Sequence, residues 1–467
     1  MISAALLFLA FASFVGPFAI GQRYGLVRWL SPLHVVAYLA FAGVFVKTLS
    51  RIWLPSSGFL NNFYYQPNDL LDGYLYLFLF VLFICLGYTL AVRQPVHKRQ
   101  WGLVQGLVSS VRYLQVLFLS SFLISAVVIG AVLSGRGLGG LSSAFSLQTL
   151  EILNSQKLMR LEGIEGYGAS FSAFKTFLFV PAFAFITFLL RWLKFKRSGD
   201  LIAVIIIFFF QLFLTVFEGS RFGLIFIFTN IAFGFLVAGG RVRLKSLLKA
   251  SAMITLFAAF FLAMTSMRER RGDDFGASTF DAAAGFNQVV NSTYFLDVNM
   301  SVLVLSRLRY ENMLWGASYG TWIIAWIPRQ VWPDKPAVSL GPYVKQEIFE
   351  MRGTVGGINP TAPAEAFINF GWLGLIVGIV LGFMFRALEE MTMSREGILR
   401  RGGLWVYPIV VLPFTVRVLQ SSFSAALVTA IVTWVLLLGA LYIFSGGALP
   451  QARNTSRLAV RAIKTVR

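Results

Sequence analysis

Apolar runs long enough to cross a bilayer recur from one end of this chain to the other. A helix rises about 1.5 Å per residue, so it needs about 20 apolar residues to span a hydrocarbon core of ~30 Å. Stretches near this length lie at roughly 1–20, 31–49, 74–92, 113–134, 172–191, 201–217, 222–239, 250–267, 362–385, 403–420 and 423–445. Runs such as Leu201–Phe210 have no polar face and suit lipid or a bundle interior. Only 13% of residues are charged and the mean hydropathy is +0.74, whereas a soluble domain carries about a quarter charged residues. The expected fold is an all-α polytopic membrane protein of about eleven spans, with residues 1–467 forming one bundle and its loops. Met1 to Ile20 has no basic region before it and no clear cleavage site, so it reads as the first span and not as a signal peptide.

The net charge of +20 invites a nucleic-acid partner, but its distribution argues against one. Retained Lys and Arg favour the cytoplasmic side, which sets the N-terminus outside and the C-terminus inside. The inner segments, including the basic tail 446–467, then hold 23 of the 40 basic residues and four acids, a net +19. The outer side has 17 bases against 16 acids, a net +1. The excess charge is therefore an orientation signal that also meets anionic lipid.

This orientation leaves a long outer segment, 268–361, between the eighth and ninth spans. Within it, 286–305 is moderately apolar and 321–333 is short and tryptophan-rich. Asn287, Asn291, Asp297 and Asn299 make a crossing costly, so both are expected as outer-side or re-entrant helices.

The informative residues are outer cations that an orienting signal does not explain. Arg221 follows a tight E-G-S turn between two apolar spans, where its fork of donors suits a phosphate or pairs with Glu218. Arg268, Arg270 and Arg271 fall within four residues at the end of a span, a cluster suited to a diphosphate or to its neighbours Glu269, Asp273 and Asp274. In W-I-P-R-Q-V-W-P-D-K-P, prolines stiffen a segment that holds Trp326, Arg329, Trp332 and Lys335. Its tryptophans fit either an interfacial anchor or a wall against sugar rings. Glu365 and Asn369 lie one helical turn apart at the start of a late span, where an acid is costly unless paired or functional. Glu365 is a candidate general base, with Glu218 second, or else a structural partner for an arginine. Arg160, Arg352 and Arg417 are further outer or rim cations.

No metal or cofactor is expected. His34 and His97 are too few for a histidine site, Asp69 and Asp72 lack supporting ligands, and Cys85 is alone. Asp72 instead suits a cap for the span that follows.

G-S-R-x-G between two spans, then I-P-R-x-x-W-P-x-K-P closing a long outer loop, then E-x-x-x-N-F-G-x-x-G opening a late span resembles the Wzy-type oligosaccharide repeat-unit polymerases. The resemblance covers roughly 215–375. It implies a fold similar to the metal-independent membrane-embedded glycosyltransferases, in the bacterial inner membrane, with the active site facing the periplasm. It further implies transfer of a growing glycan from undecaprenyl diphosphate onto the newest lipid-linked repeat unit, in O-antigen or other polysaccharide synthesis. Arg221, Arg268, Arg271 and Arg329 match the family's diphosphate-binding arginines. A chain-length regulator and a flippase are partners it suggests. The paired loop motif of an arginine and a glycine ten residues apart, found in some members, is missing here, which leaves Arg160 without a role.

The chemistry agrees, because departure of a diphosphate requires stabilisation of growing negative charge, which fixed arginines supply without a metal. Two rivals stand beside this reading. An O-antigen ligase resembles the family but uses a periplasmic histidine, and both histidines here fall on or near the inner side. A lipid-linked sugar flippase wants charge along a central path and internal repeats, whereas these span interiors are nearly uncharged.

Overall fold

The computed structural model describes residues 2–53, 65–92, 111–134, 176–217, 221–238, 295–327, 331–332, 335–351, 357–400 and 402–444. Among them every regular element is helical. In chain order the helices are α1 (Ile2–Tyr24), α2 (Pro32–Trp53), α3 (Pro67–Leu90), α4 (Leu114–Ser134), α5 (Phe179–Phe195), α6 (Ser198–Phe217) and α7 (Arg221–Val237). Then come α8 (Val298–Arg307), α9 (Ala317–Ile324), α10 (Ala362–Phe370), α11 (Leu375–Met393), α12 (Gly403–Gln420) and α13 (Phe423–Phe444).

Among the described residues, seven stretches are long and apolar enough to cross a membrane: α1, α2, α3, most of α6, the run Ala362–Met393 that joins α10 to α11, α12 and α13. The spans expected at 113–134, 172–191 and 222–239 also appear as apolar helices, α4, α5 and α7. The one expected at 250–267 lies outside the described residues.

Two features depart from simple rods. The span expected at 362–385 is broken: α10 ends at Phe370, and a 3-10 turn over Gly371–Gly374 leads into α11. Gly371 makes the break possible, since its φ of +58° is a conformation that side chains bearing a Cβ rarely take. Asn369, Phe370 and Gly371 of the N-F-G-x-x-G motif are thus the end of a half-helix and its turn. Both α2 and α12 also carry a π-helical turn, at Phe41–Val46 and Tyr407–Val411.

The bundle packs through two buried clusters. One joins α1, α2, α3, α8, α10 and α12, and the other joins α4, α5, α6, α12 and α13. The closest pairing is α3 against α11. A Cβ at Gly87 would collide with the backbone of Ile379, and one at Gly382 with that of Ile84. Small residues at such crossings let helix backbones meet where lipid gives no hydrophobic drive for association.

Several charges from the orientation count are built into this packing. Arg386 is fully buried: Nε donates to Glu390 at 2.7 Å, and Nη1 donates to the Tyr24 carbonyl at 2.6 Å. Glu389, also buried, accepts from the backbone amides of Leu26 and Val27 at 2.9 and 3.2 Å and from the Tyr88 hydroxyl. Together they pin the α1–α2 connection to α3 and α11. Arg191 pairs with Asp200 at 3.1 Å across the turn between α5 and α6.

Within 286–305 the described part is 295–305, where the ten-residue α8 begins at Val298. Ten helical residues rise ~15 Å, half of a ~30 Å core. Asp297 caps α8 through the Asn299 amide and pairs with Lys47 of α2 at 2.9 Å. At the start of α3 the N-cap is Gln66 and not Asp72, and Asp69 in the first turn accepts from the Gln66 amide at 2.8 Å in a reciprocal capping box. Among the described residues no group of His, Cys, Asp and Glu could hold a metal.

Candidate functional site

A cavity of about 510 Å³ lies between α5, α6, α7, α12 and α13, within the ~300–1,000 Å³ usual for ligand pockets. It sits at one end of the bundle. Its wall takes the start of α5 (Phe179, Pro181), the last turns of α6 (Gln211, Leu214, Thr215) and the start of α7 (Gly223, Phe226, Ile227). The end of α12 (Pro413, Phe414, Arg417) and the start of α13 (Ala426, Thr429) close it. These are the ends that the charge bias assigns to the outside.

The wall is mainly apolar, as hydrophobic spans dictate, and Arg417 is its one ionisable residue among the described ones. Arg221 opens α7 two residues before Gly223 of the wall, so the R-x-G part of the G-S-R-x-G motif is the first turn of a cavity helix, and Gly219 and Ser220 lie outside the described residues. Deeper in, Asn230 is 4% exposed and its Oδ1 has no hydrogen-bond partner among the described residues. The Thr429 and Thr433 hydroxyls donate to carbonyls of their own helix, at 2.9 and 2.8 Å. The cavity thus combines a largely apolar wall with one guanidinium, that of Arg417, among its described residues.

The 359–374 motif folds elsewhere and does not line this cavity. Glu365 is 1% exposed, its Oε1 accepting from Ser318 Oγ at 2.8 Å and its Oε2 from the Phe423 amide at 2.7 Å. Among the described residues its partners are therefore a hydroxyl and a helix N-terminus. Asn369, fully buried, donates from Nδ2 to Ser318 Oγ and to the Glu365 carbonyl, both at 2.8 Å. Its Oδ1 accepts from the Gly316 amide at 3.0 Å. The i to i+4 spacing does place both side chains on one face, as expected, but that face is inside the protein and meets α9 and α13.

Lys335 is likewise occupied. Its Nζ donates to the carbonyls of Ala325 and Ile327 at 3.0 and 2.8 Å, which closes the C-terminal end of α9. A cation there satisfies orphan carbonyls and meets the negative end of the helix dipole. Trp326 and Trp332 are exposed, 48% and 39%, together with Trp315 and Tyr310. Aromatic faces at this end of the chain fold are thus open, as an interface belt or a sugar wall requires.

The structure brings Arg221, by its backbone, and Arg417 to one cavity. Arg268, Arg270, Arg271, Arg329, Arg160, Arg352, Glu218 and His97 lie outside the described residues. His34 is buried against Ser31, with Nδ1 2.6 Å from Oγ.

Sequence reasoning does not single out Ser318, Ser424, Asn230 or Lys47. Serine in G-A-S-Y-G and S-S-F-S carries no signal of its own, because its role depends on a carboxylate 47 residues away. Lys47 and Asp297 do carry one: each is a lone opposite charge in a separate apolar stretch, which is the pattern of an intramembrane pair.

No family model, no curated protein and no solved structure matches this chain.

Proposed function

We propose that the protein is a membrane-embedded, metal-independent polymerase of undecaprenyl-diphosphate-linked oligosaccharide repeat units. It acts in the bacterial inner membrane, with the cavity end facing the periplasm. The observation that carries this reading is an apolar cavity whose one ionisable wall residue among the described ones is Arg417, near a helix end, with Arg221 opening α7 two residues before Gly223 of the same wall. A lipid-linked diphosphate needs that combination: an apolar wall for the isoprenoid and guanidinium groups for the phosphate oxygens.

In this reading Arg221 and Arg417 hold the diphosphate of the donor. Arg268, Arg270, Arg271 and Arg329 are supplied by the outer segment. As the glycosidic bond to the carrier breaks, charge grows on the leaving diphosphate, and fixed cations stabilise it. Trp326 and Trp332 offer faces to the glycan.

The test gives purified protein synthetic lipid-linked repeat units in the presence of a chelator. Extended lipid-linked chains support the polymerase. Transfer to a lipid A core acceptor without extension indicates a ligase, and movement across liposomes without chain growth indicates a flippase. Normal chain growth by both Arg221→Ala and Arg417→Ala would remove the cavity from the mechanism.

A further inference from the structure

We infer that Glu365, acting with Ser318 and Asn369, is a positioning residue that fixes the cavity wall relative to the aromatic segment around Trp326. This inference rests on the polymerase reading and assigns the acid at its site a role other than proton transfer.

The geometry is a single node between three helices. One oxygen of Glu365 accepts the Ser318 hydroxyl of α9 at 2.8 Å, and the other accepts the Phe423 amide at the first turn of α13 at 2.7 Å. The four leading amides of a helix have no partner within it, and a carboxylate at that end also meets the positive end of the dipole. Glu365 therefore serves α13 as a cap supplied from α10. Ser424 closes the node, its Oγ donating to the Ser318 carbonyl at 2.6 Å. Asn369 completes it through Ser318 Oγ and the Gly316 amide. The Tyr319 ring stacks on Phe370 at 6.1 Å between centroids and meets Phe423 at 5.5 Å, so apolar packing holds the same three elements.

Both consequences face the candidate site. From Phe423, α13 continues into Ala426, Thr429 and Thr433 of the cavity wall. From Ser318, α9 continues to Ile324, and Trp326 follows two residues on. A general base must come within reach of the hydroxyl it activates. Glu365 is 1% exposed, each oxygen is oriented by a bond to a neighbouring helix, and it does not line the cavity. A glutamine can keep the node, its carbonyl accepting from Phe423 and its amide meeting Ser318.

The experiment compares Glu365→Gln, Glu365→Ala and Ser318→Ala in chain-extension kinetics across pH, alongside melting in detergent. Glu365→Gln is expected to lose less than about tenfold in kcat and to keep the wild-type pH profile, against the ~100- to 10,000-fold that removal of a general base costs. Glu365→Ala and Ser318→Ala are expected to raise KM for the lipid-linked acceptor more than kcat falls, with the double variant no worse than Glu365→Ala. A hundredfold loss of kcat in Glu365→Gln at unchanged melting temperature, with one limb of the pH profile gone, would overturn the inference in favour of the base. So would folded Glu365→Ala with wild-type KM. If the wild type extends no chain at all, the polymerase reading fails by itself. The node is then read from melting alone, where additive losses in the double variant would overturn it.

Discussion

Lys47 Nζ lies 2.9 Å from Asp297 Oδ1, with the two side chains 3% and 0% exposed. One residue belongs to the second span and the other caps a ten-residue helix that starts 250 residues later. Removing one partner of a buried pair strands the other charge, which costs ~3–5 kcal/mol, whereas replacing both by apolar groups is often nearly neutral. Asp297→Leu or Lys47→Met is therefore expected to lower the melting temperature in detergent strongly. The Lys47→Met/Asp297→Leu double variant is expected to recover most of the loss. An equal or larger loss in the double variant would show that the pair does not act as a unit.

Arg417 stands in the cavity wall at the end where α7 begins with Arg221. Hydrogen bonds to a charged group contribute ~1.5–3 kcal/mol, so Arg417→Ala is expected to weaken binding of an isoprenoid diphosphate by about tenfold to a hundredfold. Arg417→Lys is expected to recover only part, because an ammonium lacks the planar fork. Binding is read by titration of a short-chain isoprenoid diphosphate, with the isoprenoid alcohol as control. An equal effect on both ligands would remove the phosphate from the account.

Lys335 closes α9 through the carbonyls of Ala325 and Ile327. Its loss is expected to cost ~0.3–2 kcal/mol, the range for a cation at a helix C-terminus. Lys335→Met is therefore expected to lower the melting temperature slightly and to leave isoprenoid-diphosphate affinity within about threefold of wild type. A tenfold loss of affinity at unchanged stability would return Lys335 to the phosphate site.

Gly87 and Gly382 set the crossing of α3 and α11, where a Cβ would meet the opposing backbone. A backbone cannot swing aside as a side chain can. Gly87→Val is expected to cost more than the ~1–3 kcal/mol usual for overpacking, and to appear as loss of a monodisperse peak in size-exclusion chromatography. Gly130→Val, where a Cβ meets nothing within 4 Å, is the control.

The helix α8, which begins within the 286–305 stretch, is ten residues long, about half a bilayer core. A topology reporter fused near Tyr310 is expected to read the periplasmic side. A cytoplasmic reading would reverse the assignment of the outer segment.

Much of this architecture is legible along the chain. Hydropathy sums over consecutive residues, so the runs at 1–20, 31–49, 74–92, 403–420 and 423–445 identify helices without reference to one another. The break at Gly371 is also written locally, although the same apolar run conceals it from a hydropathy reading. The site is legible only in part. The G-S-R-x-G and E-x-x-x-N-F-G motifs mark segments that matter, but not that the first enters a cavity wall and the second a buried node.

The sequence alone determined that this chain is a bundle of membrane helices, because continuous apolar runs of about 20 residues match a helix across ~30 Å of hydrocarbon, where each amide must find its partner within the segment. Which polar side chains face one another was decided by the tertiary structure. Glu365 and Ser318 are 47 residues apart, and Glu365 and Phe423 are 58 apart. A carboxylate's role follows from the donors that surround it, and those donors come together only when α9, α10 and α13 pack.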